Sequence, residues 1–170
     1  MYNVKNLEQE KGIAKIKQIV NDVKFCFFCT NPENQNSAEA TVMTAQTVDE
    51  HGNIWFFSGR DSDRNRNIKT NQNVQLYFSC PEKDAYLAVN ATASIVFDRE
   101  KMEELWNPIL NIWFKDGVDD QNISLIQATA VNANYWDSKD GKMINFFKMI
   151  ASAITGNDVT DSTHGSINVL

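Results

Sequence analysis

Several residue types are scarce in this sequence, and each scarcity removes a class of function. There are two histidines, His51 and His164, and three cysteines, Cys26, Cys29 and Cys80. Both histidines sit in polar, turn-like segments with no companion ligand at metal spacing, so no metal centre is expected. Asp116, Asp119 and Asp120 form an acidic loop but lack the twelve-residue calcium pattern. Cys26 and Cys29 have a C-x-x-C spacing, yet FCFFCT reads as an apolar strand, in which residues three apart point to opposite faces. No helix start is signalled there, as a redox pair would require, so buried structural thiols are expected. No apolar run reaches the length of a membrane-spanning helix. The stretch MYNVKNLEQEKG holds no apolar core of the kind a signal peptide needs, and a cytoplasmic location is the expectation that follows. Positive charge is also short. A net charge of −6 argues against nucleic acid and anionic membrane surfaces as partners. There is no phosphate-cradling G-x-x-x-x-G-K-[ST] loop and no catalytic triad, so no catalytic residue can be named.

What is present fits one compact domain over residues 1–170, with 42% hydrophobic and 22% charged residues. Residues 6–22 show a rough helical stripe of Ala14, Ile16, Ile19 and Val20. Strands are predicted at 24–30, 38–48, 54–58, 74–80, 87–97 and 123–136, which places a barrel over 24–136. Leu87, Val89, Ala91, Ala93, Ile95 and Phe97 give the clearest alternation. The DEHGN loop reads as a hairpin with a positive φ at glycine. Ser62 is a good N-cap for a short helix from Asp63 to Lys69. Residues 98–114 read as helical, divided at Pro108. A C-terminal helix is predicted over 142–155, with a loose polar tail beyond it. Consecutive strands without regular crossover helices favour a small antiparallel barrel with flanking helices over a doubly wound parallel sheet.

Arginine is distributed unevenly. Of the four in the chain, Arg60, Arg64 and Arg66 fall within HGNIWFFSGRDSDRNRNI. A guanidinium meets phosphate oxygens bidentately, and the hydroxyls of Ser58 and Ser62 with the N–H groups of a helix start add donors. The same loop also reads as solvated, with Arg60 and Arg66 balancing Asp61 and Asp63. For Trp55, Trp106, Trp113 and Trp136, core packing is the plain reading; Trp106 and Trp113 border a polar loop and could also line a flat aromatic ligand.

From Ala38 to Asp137 the pieces TVMTAQ, DEHGNIWFFS, S-x-R at 62–64, NQNVQLYF, DREKMEELW, WFKDGVDD and ANYWD occur in an order that resembles the flavin-binding split-barrel proteins related to pyridoxamine 5′-phosphate oxidase, within them the bacterial general stress protein branch. The resemblance implies a six-stranded antiparallel Greek-key split barrel. It also implies a homodimer with FMN, a small-molecule ligand, in clefts between the subunits. Ser58, Ser62 and Arg64 match the phosphate-binding positions. Thr41, Val42, Met43 and Thr44 match the strand facing the flavin ring, with Phe57 beside Ser58. Trp106 and Trp113 match tryptophans near the flavin. The chain departs from the branch at Thr41-Val42-Met43, where Arg-Pro-Met is usual, and at Arg64, where lysine is usual. The arginine and histidine set that binds substrate in the true oxidase has no equivalent. Three functions stay open: an FMN-dependent oxidoreductase of unknown substrate, a non-catalytic flavin-binding or stress-sensing module, and a split barrel that has lost FMN or binds another flat cofactor such as haem.

Overall fold

The computed structural model describes residues 3–4, 7–31, 37–138 and 162–168. In chain order the elements are β1 (Asn3–Val4), β2 (Leu7–Glu8), α1 (Gln9–Val23), β3 (Phe25–Thr30), β4 (Glu39–Val48), β5 (Asn53–Gly59), α2 (Asp63–Thr70), β6 (Asn73–Cys80), β7 (Ala85–Val96), α3 (Arg99–Leu105), β8 (Ile123–Ser138) and β9 (Ser162–Asn168). Strands β3 to β8 lie in the order β8-β5-β4-β3-β6-β7, and β7 pairs with β8 to close the ring. Every pair in the ring is antiparallel. This is the six-stranded antiparallel split barrel expected from the alternation, with α1, α2 and α3 flanking it.

The alternation sets which side chains go inside. On β7, Leu87, Val89, Ala91 and Ala93 are buried while Tyr86, Asn90 and Thr92 face out. Phe28 and Phe56 meet edge to face inside the barrel at 5.3 Å. α1 lays Ile16, Ile19 and Val20 on the same core. A second, smaller cluster lies outside the ring. Trp55, Phe57 and Leu125 point outward from β5 and β8 and meet Met102, Leu110 and Phe114.

The β4–β5 hairpin turns at Gly52, whose φ of +80° suits glycine. Asp49 fixes that turn. Its carboxylate accepts from the backbone N–H groups of His51 (3.0 Å) and Asn53 (2.9 Å), the Asn53 amide (2.9 Å) and Trp55 Nε1 (2.9 Å).

Three expectations meet a different outcome. α1 begins at Gln9 rather than at residue 6, because Leu7–Glu8 pairs in parallel with β9. The polar tail contains a strand: β8 runs on past Thr129, its last partner on β5, and its open edge from Asn132 to Ser138 takes β9. Ile167 of β9 is buried in the core. After α3 the chain makes 3-10 turns at Pro108–Ile112 and Gly117–Asp119 rather than a second α-helix. The helix expected over 142–155 lies outside the described residues.

Candidate functional site

The outer cluster and the β4–β5 hairpin enclose a cleft of about 350 Å³, within the size range of small-molecule sites. β4 supplies Val42, Met43, Thr44 and Gln46, β5 supplies Phe57, Ser58 and Gly59, and α2 supplies Arg64. Leu110, Trp113, Phe114 and Asn122, from the connection between α3 and β8, form the opposite wall.

One end of the cleft is cationic. Ser62 caps α2, its hydroxyl accepting from Asn65 N at 3.2 Å, and the first turn then carries Arg64 to the cleft. Arg64 donates to Ser58 Oγ through Nη2 at 2.9 Å and to Thr41 Oγ1 through Nη1 at 3.0 Å. Its Nε is buried with no hydrogen-bond partner. Among the described residues no carboxylate pairs with it. Burial pulls the guanidinium below its ordinary pKa, but an arginine there stays charged. The other two arginines of the cluster are occupied. Arg66 pairs with Asp63, as the loop composition predicts. Arg60, expected to balance Asp61, instead stacks on the Phe97 ring at 4.5 Å.

The middle of the cleft is apolar and aromatic. Phe57 meets Trp106 edge to face at 5.6 Å and Phe114 at 6.3 Å. Trp106 therefore backs the wall, whereas Trp113 lines it and is 63% exposed. The far end is an amide. Gln46 donates through Nε2 to Thr44 O at 3.0 Å and accepts at Oε1 from Asn107 Nδ2 at 3.0 Å. At the rise of a strand, the four steps from Val42 to Gln46 span ~13 Å.

Seven of the residues singled out from sequence line this cleft: Val42, Met43, Thr44, Phe57, Ser58, Arg64 and Trp113. Thr41 and Ser62 stand one step behind, holding Arg64 and the start of α2. Sequence reasoning missed Gln46, Leu110, Phe114, Asn122 and the buried Asn65. Gln46 follows from alternation with Val42 and Thr44. Asn65 gives no such signal, because it lies in a wholly polar stretch and only tertiary packing buries it.

No residue lining the cleft is an Asp, Glu, His, Cys or Lys, so it offers no ready acid or base. Among the described residues no cluster could hold a metal ion. Cys26 and Cys29 are buried on β3 away from the cleft; burial, with Cys29 adding to it, pushes the Cys26 thiol up to about 12.

A family model described as "Pyridoxamine 5'-phosphate oxidase like" matches residues 11–160. Solved structures similar to the chain include three general stress proteins. A Clostridium acetobutylicum protein related to general stress protein 26 is 26% identical, with a TM-score of 0.64 over 76% of this chain and 90% of that one. A Jannaschia sp. CCS1 protein named for general stress protein 26 is 19% identical, with a TM-score of 0.75 over 91% and 96%. A Xanthomonas citri protein described as a general stress FMN/FAD binding protein is 22% identical, with a TM-score of 0.66 over 78% and 93%.

Proposed function

Because the chain belongs to the pyridoxamine 5′-phosphate oxidase like family, we propose that its cleft binds a flavin, specifically FMN, and serves an oxidoreductase of unknown substrate. The observation that carries this is Arg64: a part-buried guanidinium with no carboxylate paired to it among the described residues and an orphaned Nε, placed at the end of an aromatic-walled cleft. A phosphate monoester would complete it. Val42, Met43, Thr44, Phe57 and Trp113 would hold the flat ring, and Gln46 would face its polar edge. Ser58, Ser62 and Thr41 support the cation end, and Trp106 stiffens Phe57 from behind. The similar Xanthomonas protein is described as FMN/FAD binding, which supports the flavin class. A bound flavin supplies redox chemistry, and the protein's part is binding, orientation and exclusion of water.

The same reading includes a single domain over 1–170, a cytoplasmic location and, as the resemblance implies, a homodimer. Phe25 and Phe27 of β3, Val42 of β4 and Tyr77 of β6 are 60%, 57%, 64% and 47% exposed. Phe27 lies opposite both Val42 and Tyr77 in the sheet, so these side chains form one apolar patch. Such a patch is a docking surface rather than a solvent face. Val42 belongs to the patch and to the cleft wall, so a second copy would also wall the site.

The absence of an acid or base among the lining residues favours a second reading, a flavin-binding module without turnover. Purified protein tests the first step. It should be yellow, and heat should release FMN identifiable by mass spectrometry. Colourless protein that also takes up no added FMN sinks both readings. Anaerobic reduction followed by exposure to quinones, dyes and oxygen separates them: electron transfer supports the oxidoreductase, and failure with every acceptor leaves the module. Steady NADPH turnover would exclude the module.

A further inference from the structure

Ser58 sits beside the cationic end of the cleft, but its proton is already committed. Ser58 and Ser124 are cross-strand partners on β5 and β8, and both are buried together with Asn65 of α2. Three hydrogen bonds join them, and a fourth ties Asn65 to the Arg60 carbonyl. Ser124 Oγ donates to Ser58 O at 2.9 Å, and Asn65 Nδ2 donates to Ser124 Oγ at 2.9 Å and to Arg60 O at 3.3 Å. Ser58 Oγ donates to Asn65 Oδ1 at 2.9 Å.

The direction of this chain is forced at both ends. A backbone carbonyl only accepts, so Ser124 must give its single proton to Ser58 O. Ser124 can then only accept, which requires the NH₂ side of Asn65 to face it. The Arg60 carbonyl requires the same orientation. The Asn65 oxygen therefore points at Ser58, and Ser58 gives its proton there. What Ser58 has left are lone pairs, and one of them takes Arg64 Nη2. Reversing any link would leave a buried polar atom without a partner, which is expensive at a site this closed.

We propose that Asn65 is a positioning residue for the anion site: by fixing Ser58 as an acceptor, it makes Ser58 a holder of Arg64 rather than a ligand of the phosphate. The anion is then met by the remaining N–H groups of Arg64, the buried Nε among them. The Ser62 hydroxyl, which gives its proton to Ser58 Oγ at 3.3 Å because Ser58 only accepts, joins them by turning that proton to the anion. This rests on the flavin reading above and narrows it.

The test is the ratio of FMN to riboflavin affinity, since the two ligands differ only by the phosphate. Full-length protein is titrated with each by fluorescence, in wild type, Asn65→Leu, Ser58→Ala and the double variant, with thermal melting as a check on folding. Asn65→Leu is expected to weaken FMN about fivefold or more and leave riboflavin unchanged. Ser58→Ala is expected to do the same, and the double variant to lose no more than the larger single loss, because both break one chain. If Ser58 were itself a phosphate donor, Asn65→Leu would free its proton and leave the ratio unchanged or raised, which overturns the proposal. Equal loss of FMN and riboflavin also overturns it, since that marks a residue needed only for the fold. Should Asn65→Leu not fold, Asn65→Ala takes the same acceptor away from Ser58 with less bulk. The same FMN-selective loss is expected there, and a wild-type ratio overturns the proposal. Wild-type protein that binds neither ligand defeats the flavin reading itself and takes this one with it. Wild-type protein that binds both equally spares the flavin reading and defeats this one.

Discussion

Asp49 and Arg64 are both charged groups drawn partly out of water with no opposite charge paired to them among the described residues, and the protein treats them in opposite ways. Asp49 accepts four hydrogen bonds within its own hairpin. Arg64 has two hydroxyl acceptors and a buried Nε with none. A charge whose hydrogen-bonding capacity is filled holds structure together. A charge left incomplete is a cost to the fold unless something else completes it. The comparison therefore separates a staple from a binding site without reference to any relative.

The largest expected effect is at Arg64. Arg64→Ala should weaken FMN by a factor of ten or more, corresponding to about 1.5–3 kcal/mol for charge-assisted hydrogen bonds. Its melting temperature should fall less than that of Asp49→Ala, because the two hydrogen bonds lost are offset by removing a buried Nε without a partner. Arg99→Ala is the control. Arg99 is an exposed arginine paired with Glu103 and Asp119, and its loss should leave FMN affinity at the wild-type value. Equal losses in the two variants would break the comparison.

Asp49→Ala should do the converse. Removing the acceptor strands Trp55 Nε1 and two Asn53 donors, which costs about 1.5 kcal/mol, the low end for bonds to a charged group, since the carboxylate is only part-buried. A fall of about 3–6 °C in melting temperature is expected at this chain length, with FMN affinity nearly unchanged. An affinity loss as large as that of Arg64→Ala would show that the two regions are not separable.

Acid gives the same contrast without mutation. Burial pushes the Asp49 carboxyl up, but the bonds from Trp55, Asn53 and His51 outweigh it and hold it below its ordinary value. A carboxylate with a lowered folded-state pKa contributes stability that is present above the unfolded value, near 3.8, and is lost as pH falls through the folded value. Wild type should therefore lose more stability on acidification below that value than Asp49→Ala does. FMN binding should weaken earlier, around the second phosphate pKa of about 6. Parallel acid profiles for the two proteins would remove Asp49 from the account.

How far these two regions could be read in advance differs for physical reasons. The barrel was legible because period-two alternation is local, as in Leu87 to Ala93. Gly52 and the Ser62 cap were legible because turns and caps have their own residue chemistry. Arg64 stood out through clustering and resemblance. Asn65 and Asp49 were not legible as anchors. Each is a polar residue in a polar stretch, and its role comes from partners brought in by folding: Ser124 lies 59 positions from Asn65, and the Asp49 bonds need the hairpin already turned. β9 was missed for a related reason. Its polar composition carries no strand signal, and what pairs it is the open edge of β8, which the tail's own sequence does not reveal.

The smallest expected effect is at Thr41, and it tests how completely the anion site depends on one cation. Thr41 stands where the resembling branch has an arginine, and here its hydroxyl accepts from Arg64 Nη1 at 3.0 Å. Thr41→Ala removes an exposed neutral acceptor and returns one N–H of Arg64 to solvent or ligand. The lost tether and the freed donor work against each other, so FMN affinity should change by less than about threefold, roughly 0.6 kcal/mol. Riboflavin affinity should not change, because Thr41 does not line the cleft. A loss approaching that of Arg64→Ala, measured by the same titration, would make Thr41 a ligand in its own right. The unfilled valence at Arg64 would then no longer be what distinguishes this end of the barrel from the closed hairpin at Asp49.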